Sequence, residues 1–473
     1  MTIVLITLLG FVLRLVLAGQ SLWLDEAASW VIASLPLKTL LPSLAGDFHP
    51  PLYYLSLKPW LSIAGQSEFL LRLPGIIIGA LTIPALYLLV KTIFIPQKKL
   101  KFEIAHLAAL LLALNPLHIY YSQELRMYAL SALLATLSWY FLSKWLKDKQ
   151  AKNIIWFTFI SVISFYTFYL SLFILVSQWL YLILFHKKSL KAFLGYNLLF
   201  VLFCLPWLPT FLKQLKGGGY LTQALPGWSA LSGNISFKSL LLIPTKFSLG
   251  RISIFPQSLY FLVIGLVLAF MSLLFVLALR VKRSRLFFFW LFVPLILALI
   301  TSIFTPILGY WRYIFLLPAF TTLLAIGISY LPKKMFTINI SLTILLFVFS
   351  NLIFFSNPKF QREDWSSLVG LVNQQPNALI LVNFTDAFAP LKFYLPEGNF
   401  FPTQLALGQT RPDLDEVLPP LLKQDTSVYY LDYLSDLTSP DRPILIWLDR
   451  AGLKKKSEYQ FNGLGAVYEY QAP

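Results

Sequence analysis

The stretch Ser21-Leu22-Trp23-Leu24-Asp25-Glu26-Ala27 follows an apolar run over residues 2–18 and sets two adjacent acids where the chain has almost none. Residues 1–355 hold only seven Asp and Glu. An ionised side chain at membrane level is costly, so an acidic pair retained there marks a functional site. The surrounding composition establishes that the setting is a membrane. The chain is 58% hydrophobic and 12% charged, with mean hydropathy +0.71, whereas a soluble domain carries roughly 25% charged residues. These values define a polytopic membrane protein.

The net charge of +17 is unevenly spread. Residues 1–355 carry 28 Lys and Arg against 7 acids, and residues 356–473 carry 10 against 14. The basic excess belongs to the apolar part and sits mostly in its short loops, which excludes a nucleic-acid partner. The single cysteine, Cys204, lies in an apolar run and supports neither a disulfide framework nor a thiolate metal site.

Apolar runs at 2–18, 69–94, 104–120, 126–143, 154–170, 171–186, 191–212, 257–279, 286–304, 313–331 and 336–355 predict about eleven transmembrane helices. Arg14 interrupts the first run and further spans follow, so it reads as an uncleaved helix rather than a signal peptide. Basic clusters at Lys91/Lys98/Lys99/Lys101, Lys144/Lys147/Lys149/Lys152, Lys187/Lys188/Lys191, Arg280/Lys282/Arg283/Arg285 and Lys333/Lys334 occupy every second connection. The positive-inside rule puts them in the cytoplasm, with the amino terminus. This alternation requires a tight turn between two short spans within 154–186. The expected domains are a transmembrane part, 1–355, with outer loops at 19–68 and 213–256, and an extracytoplasmic α/β domain at 356–473. The second loop, with Gly217, Gly218, Gly219 and Trp228, reads as a mobile lid or a variable surface loop. In the C-terminal part, strands are expected at 378–384, 427–433, 443–448 and 467–470, and helices at 365–373 and 414–423.

This topology gathers Asp25, Glu26, Asp47, His49, Glu68, Arg72, His118, Glu124, Arg126, Tyr310 and Arg312 on the outer face. Acids and arginines meeting there suit a base that removes a hydroxyl proton while cations hold a phosphate. They would equally suit an ion or substrate gate.

The motifs Trp23-Leu24-Asp25-Glu26, His49-Pro50-Pro51-Leu52-Tyr53-Tyr54, Arg72-Leu73-Pro74, Tyr121-Ser122-Gln123-Glu124-Leu125-Arg126-Met127-Tyr128, Arg312-Tyr313 and Arg362-Glu363-Asp364-Trp365 occur in an order that resembles glycosyltransferase family 39 and its relatives in the GT-C superfamily. These include the protein O-mannosyltransferases and the aminoarabinose transferases. The resemblance implies an inverting transfer of a sugar from a polyprenyl-phosphate carrier to a lipid, glycan or protein acceptor at the outer face of the plasma (inner) membrane. It makes Asp25 the general base and Arg126 the contact to the lipid phosphate. Glu26, His49, Arg72, Glu124, Tyr310 and Arg312 become candidate substrate contacts. A partly desolvated carboxylate is the stronger base, and a guanidinium can hold phosphate through two parallel hydrogen bonds.

Neither a metal nor a cofactor is expected: His49, His118 and Glu124 lack informative ligand spacing. No Walker-type loop, dinucleotide fingerprint or His-Glu-x-x-His motif occurs. The rival reading is a lipid or sugar transporter gated by the same carboxylates, but Arg14 is nearly alone as an ionisable residue deep in a span. A third is an assembly scaffold that docks partners on its C-terminal domain.

Overall fold

The computed structural model describes residues 1–46, 48–94, 103–224, 233–375, 377–383, 389–396, 398, 400–402, 413–422 and 426–471. Asp47, Lys98, Lys99, Lys101, Trp228, Phe384 and Lys423 lie outside them. The described chain is mostly helical, with one five-stranded sheet towards its C-terminus.

The first eight helices are α1 (Thr2–Leu15), α2 (Leu24–Ser34), α3 (Leu37–Ala45), α4 (Leu52–Ala64), α5 (Glu68–Ile93), α6 (Ile104–Leu114), α7 (Pro116–Ser122) and α8 (Tyr128–Asp148). All eleven apolar runs fall on helical structure. Among the described residues, six helices are long and apolar enough to cross a membrane, or seven if the bent pair α6 and α7 is one span. The chain breaks at 168–170 between Ala151–Thr167 and Ser171–Phe185, as the alternation of basic clusters required. Tyr310–Ser329 is the central helix, and every residue over 313–329 is buried. Gln257–Leu279 instead exposes Leu262, Leu266 and Leu273, an apolar surface suited to lipid.

The 60° bend between α6 and α7 has a local cause. Pro116 has no N–H to continue the helix, and Asn115 starts the next one by accepting from His118 N at 2.9 Å. The break frees carbonyls of α6, and the buried Arg14 side chain approaches Ala113 O at 3.3 Å and Leu112 O at 3.5 Å. Arg14 also meets Gly10 O at 2.6 Å, His118 Nδ1 at 2.7 Å and Ser122 Oγ at 3.1 Å. Gly79 lets α5 approach this knot, since a Cβ there would lie 2.1 Å from Ser122 Oγ.

The 213–256 region, expected as an outer loop, contains helical structure. Leu208–Ala224 carries a helix through the three glycines, and Phe237–Leu249 forms another that buries Ile243, Phe247 and Leu249 in the main core.

The sheet runs β2-β1-β3-β5-β4, from β1 (Ala378–Val382), β2 (Phe400–Pro402), β3 (Ser427–Leu431), β4 (Lys454–Phe461) and β5 (Gly465–Gln471). β1 pairs parallel with β2 and β3, while β5 pairs antiparallel with β3 and β4. Alternation in β1 sends Ile380 and Val382 to a core with Trp365 and Leu368, and Leu379 and Leu381 to the opposite core with Ile444 and Trp447. The expected strand at 443–448 is a helix, Pro443–Arg450. Pro443 opens it, and Ile444, Trp447 and Leu448 bury one face while Ile446 is exposed, a 3.6-residue period. The expected helix at 414–423 is a short turn, Leu414–Val417, followed by a 3-10 turn, Pro419–Leu421, because Pro419 and Pro420 stop it.

Candidate active site

α2 begins at Leu24, and its first turn carries Asp25 and Glu26, where the helix dipole favours carboxylates. Adjacent helical residues point about 100° apart, and the two acids separate accordingly. Glu26 turns inward and is fully buried. Arg72 donates to it twice, Nε to Oε1 at 2.9 Å and Nη2 to Oε2 at 2.5 Å, and Leu125 N donates to Oε1 at 2.8 Å. The remaining Arg72 donors go to the carbonyls of Ala18, Gln20 and Ser21. Burial pushes the Glu26 carboxyl up, but the charges of Arg72 and Arg362 and the hydrogen bonds outweigh it and hold the group below its ordinary range.

Asp25 turns the other way. Its side chain is 41% exposed, with Oδ2 3.9 Å from Arg126 Nη2. Arg126 Nη2 also lies 3.1 Å from His49 Nε2, and Nη1 donates to Ser29 Oγ at 3.4 Å, one helical turn beyond Asp25. Arg312 is within electrostatic range of Asp25 and Arg126, and its guanidinium lies 5.4 Å from the Trp311 ring centre. Tyr310 packs edge-on against Trp311. Segments distant in sequence thus bring one half-exposed carboxylate to two arginines and a histidine.

Glu124 belongs to a buried layer behind this group. Its Oε2 accepts from Arg362 Nη1 at 3.0 Å, while its buried Oε1 accepts no hydrogen bond among the described residues. Burial pushes its carboxyl up to about 7, against the opposing charge of Arg362. His118 is not beside His49: it belongs to the Arg14 knot. Among the described residues, no group of three or more His, Cys, Asp or Glu gathers as a metal site would require.

A family model described as dolichyl-phosphate-mannose-protein mannosyltransferase matches residues 48–209. A search of curated protein sequences finds no match. Among solved structures, ArnT from Cupriavidus metallidurans in the apo state superposes with TM-score 0.58 at 13% identity, covering 99% of this chain and 97% of that one. The same protein bound to undecaprenyl phosphate gives 0.61 at 12% identity, covering 98% and 97%. The oligosaccharyltransferase of Archaeoglobus fulgidus gives 0.54 at 11% identity, covering 99% of this chain and 73% of that chain. The chain has the GT-C fold.

Two arginines absent from the expected site enter this GT-C site. Arg251 lies over the Tyr120 ring at 4.6 Å and donates to the Tyr120 hydroxyl. It keeps exposed surface although protein surrounds it, and its electrostatic neighbours include Tyr310, Tyr121 and Glu124. No motif marked it, because it follows Gly250 in a segment that reads as loop. Arg362 stood in a quoted motif but without a role; in the structure its guanidinium lies over the same Tyr120 ring, 3.9 Å from its centre, and reaches Glu124.

Proposed function

We propose that the chain is a glycosyltransferase that moves a sugar from a polyprenyl-phosphate carrier to an acceptor hydroxyl, with inversion, at the outer face of the membrane. The observation that carries this reading is the half-exposed Asp25 carboxylate beside Arg126 and Arg312, on a GT-C fold. ArnT, which shares that fold, has been observed with undecaprenyl phosphate, and the oligosaccharyltransferase with dolichol phosphate. The outer location is supported by the alternation of Lys and Arg clusters along the chain.

Asp25 takes the proton of the acceptor hydroxyl as its oxygen attacks the anomeric carbon. The bond from that carbon to the phosphate oxygen breaks, and its electron pair leaves with the phosphate. The products are the inverted glycoside, the polyprenyl phosphate and a protonated Asp25. Arg126, Arg312 and Arg251 supply positive charge where negative charge develops on the departing phosphate, and His49 holds Arg126 in place. Glu26 and Arg72 position the loop rather than touch substrate, since their hydrogen-bonding atoms are used within the protein.

The test is transfer from a panel of radiolabelled polyprenyl-phosphate sugars into membrane extracts, comparing the purified protein with Asp25→Asn. Removing the base should lower turnover on the order of 10²–10⁴-fold with unchanged membrane insertion. Absence of transfer with every donor, together with measurable lipid movement, would favour the transporter reading instead.

A further inference from the structure

The N-terminus of the helix that carries Asp25 is closed only in part by its own sequence: Glu26 Oε2 accepts from Trp23 N at 3.4 Å. Trp23 occupies the N-cap position, and its side chain accepts no capping hydrogen bond. The first amide of the helix, Leu24 N, has no intrahelical acceptor and donates instead to Glu363 Oε2 at 3.3 Å, 339 positions away. Two further donors aim that carboxylate: Trp365 Nε1 reaches Oε2 at 2.8 Å and Tyr433 Oη reaches Oε1 at 2.9 Å. The turn between β4 and β5 backs it from behind. Asp364 N donates to Asn462 O at 2.9 Å, Asn462 Nδ2 donates to Arg362 O at 3.0 Å, and a Cβ on Gly463 would lie 2.8 Å from Glu363 Cγ.

Neighbouring contacts run the same way. Leu22 N donates to Tyr394 Oη at 2.8 Å, Ser21 Oγ meets Ser366 Oγ at 2.8 Å, and Trp30 packs edge-on against Phe393 at 5.0 Å. Arg362, next to Glu363, holds Glu124 in the turn that leads to Arg126. We infer that the C-terminal sheet unit is a positioning element for the reaction, with Glu363 acting as a remote cap that fixes the helix bearing Asp25. This rests on the proposed role of Asp25 as the base. Glu363 itself is a positioning residue: it acts through the Leu24 amide and the backbone of the first turn. A side-chain cap on this amide is expected to matter more for the direction of the Asp25 carboxylate than for donor affinity, because the phosphate-facing arginines come from other segments.

The test uses the full-length purified protein as Glu363→Ala, Glu363→Gln and Tyr394→Phe. A Gln side chain can keep all three partners, its amide oxygen accepting from Leu24 N and Trp365 Nε1 while its NH2 donates to a rotated Tyr433 hydroxyl, which becomes the acceptor. Glu363→Ala should lower kcat about 10- to 100-fold, the loss expected from a misplaced catalytic group, with KM for the polyprenyl-phosphate sugar nearly unchanged. Glu363→Gln should recover most of it. If Glu363→Ala does not fold, Tyr394→Phe carries the comparison and should also lower kcat without raising KM. Hydrogen–deuterium exchange of the peptide covering residues 21–27 gives a readout independent of activity: exchange should quicken in the Ala and Phe variants and return to wild type in the Gln variant. Unchanged kcat and exchange, or a Gln variant as impaired as Ala, would overturn the inference. Absence of transfer by the wild type would instead remove the proposed function, and the exchange result would then judge the cap alone.

Discussion

Replacing Glu26 by Gln separates a positioning carboxylate from a catalytic one. Glu26 is fully buried and Arg72 is 1% exposed, and two short hydrogen bonds join them. An amide keeps one acceptor oxygen, which in the Oε1 position can serve Arg72 Nε and Leu125 N but not Arg72 Nη2, and its NH2 then faces a guanidinium donor. Arg72 is then left as a buried cation without a carboxylate, a change that costs about 3–5 kcal/mol in comparable buried pairs. Asp25→Asn touches a half-exposed pair at 3.9 Å and should cost no more than about 1 kcal/mol. SDS titration of the purified protein in mixed micelles, followed by tryptophan fluorescence, measures both. Glu26→Gln should lower the unfolding midpoint strongly, and Glu26→Gln combined with Arg72→Met should regain part of that loss, because the uncompensated charge is gone. Residual transfer by the folded fraction of Glu26→Gln should exceed that of Asp25→Asn. A Glu26→Gln protein that unfolds like the wild type yet is as inactive as Asp25→Asn would refute the reasoning and make Glu26 part of the chemistry.

Glu124 predicts a pH dependence of stability. Its carboxyl is raised to about 7 in the folded protein, so its stabilising contribution is complete below its ordinary value near 4.5 and disappears as pH rises through about 7. Unfolding midpoints measured from pH 5 to 8 should therefore shift in favour of Glu124→Gln at the upper end, and a constant difference between the two proteins would contradict the assignment. Gly79→Ala should destabilise by about 1–3 kcal/mol through overpacking, since its Cβ would meet Ser122 Oγ; an unchanged SDS midpoint would show that the knot yields. Arg251→Ala should raise KM for the lipid-linked donor, read from initial rates across donor concentrations, and an unchanged KM would remove Arg251 from the phosphate contacts.

Much of the helical layer was legible because burial in lipid leaves a direct trace in composition. All eleven apolar runs became helices, and Lys144 to Lys152 and Lys187 to Lys191 correctly demanded a break inside 154–186. The helices inside 213–256 were not legible: Gly217, Gly218 and Gly219 carry loop propensity, and in the separate segment Phe237–Leu249 the burial of Ile243, Phe247 and Leu249 is a tertiary fact. β4 left little trace for the same kind of reason. Lys454, Lys455 and Lys456 show no apolar alternation, yet backbone pairing to β5 forms an edge strand there. In the site, motif order pointed to Asp25, His49 and Arg126, which the structure brings together. Motifs could not distinguish a charge that faces a cleft from one consumed in a buried network, because both keep the same residue type.

The two acids of the opening motif make that distinction concrete. They are neighbours in sequence and share a helical turn, yet the 100° step between them puts one carboxylate into the protein and the other out of it. The arrangement has a physical logic. A half-exposed base must be held at a fixed angle by something other than its own contacts, since strong hydrogen bonds to Asp25 would stabilise its charged form and weaken it as a base. Anchoring through the next residue avoids that conflict: Glu26 takes the tight contacts with Arg72 and Leu125 N, Glu363 takes the helix terminus, and Asp25 is left with Arg126 at 3.9 Å. Rigid placement and a reactive carboxylate are thus supplied by different side chains of the same turn.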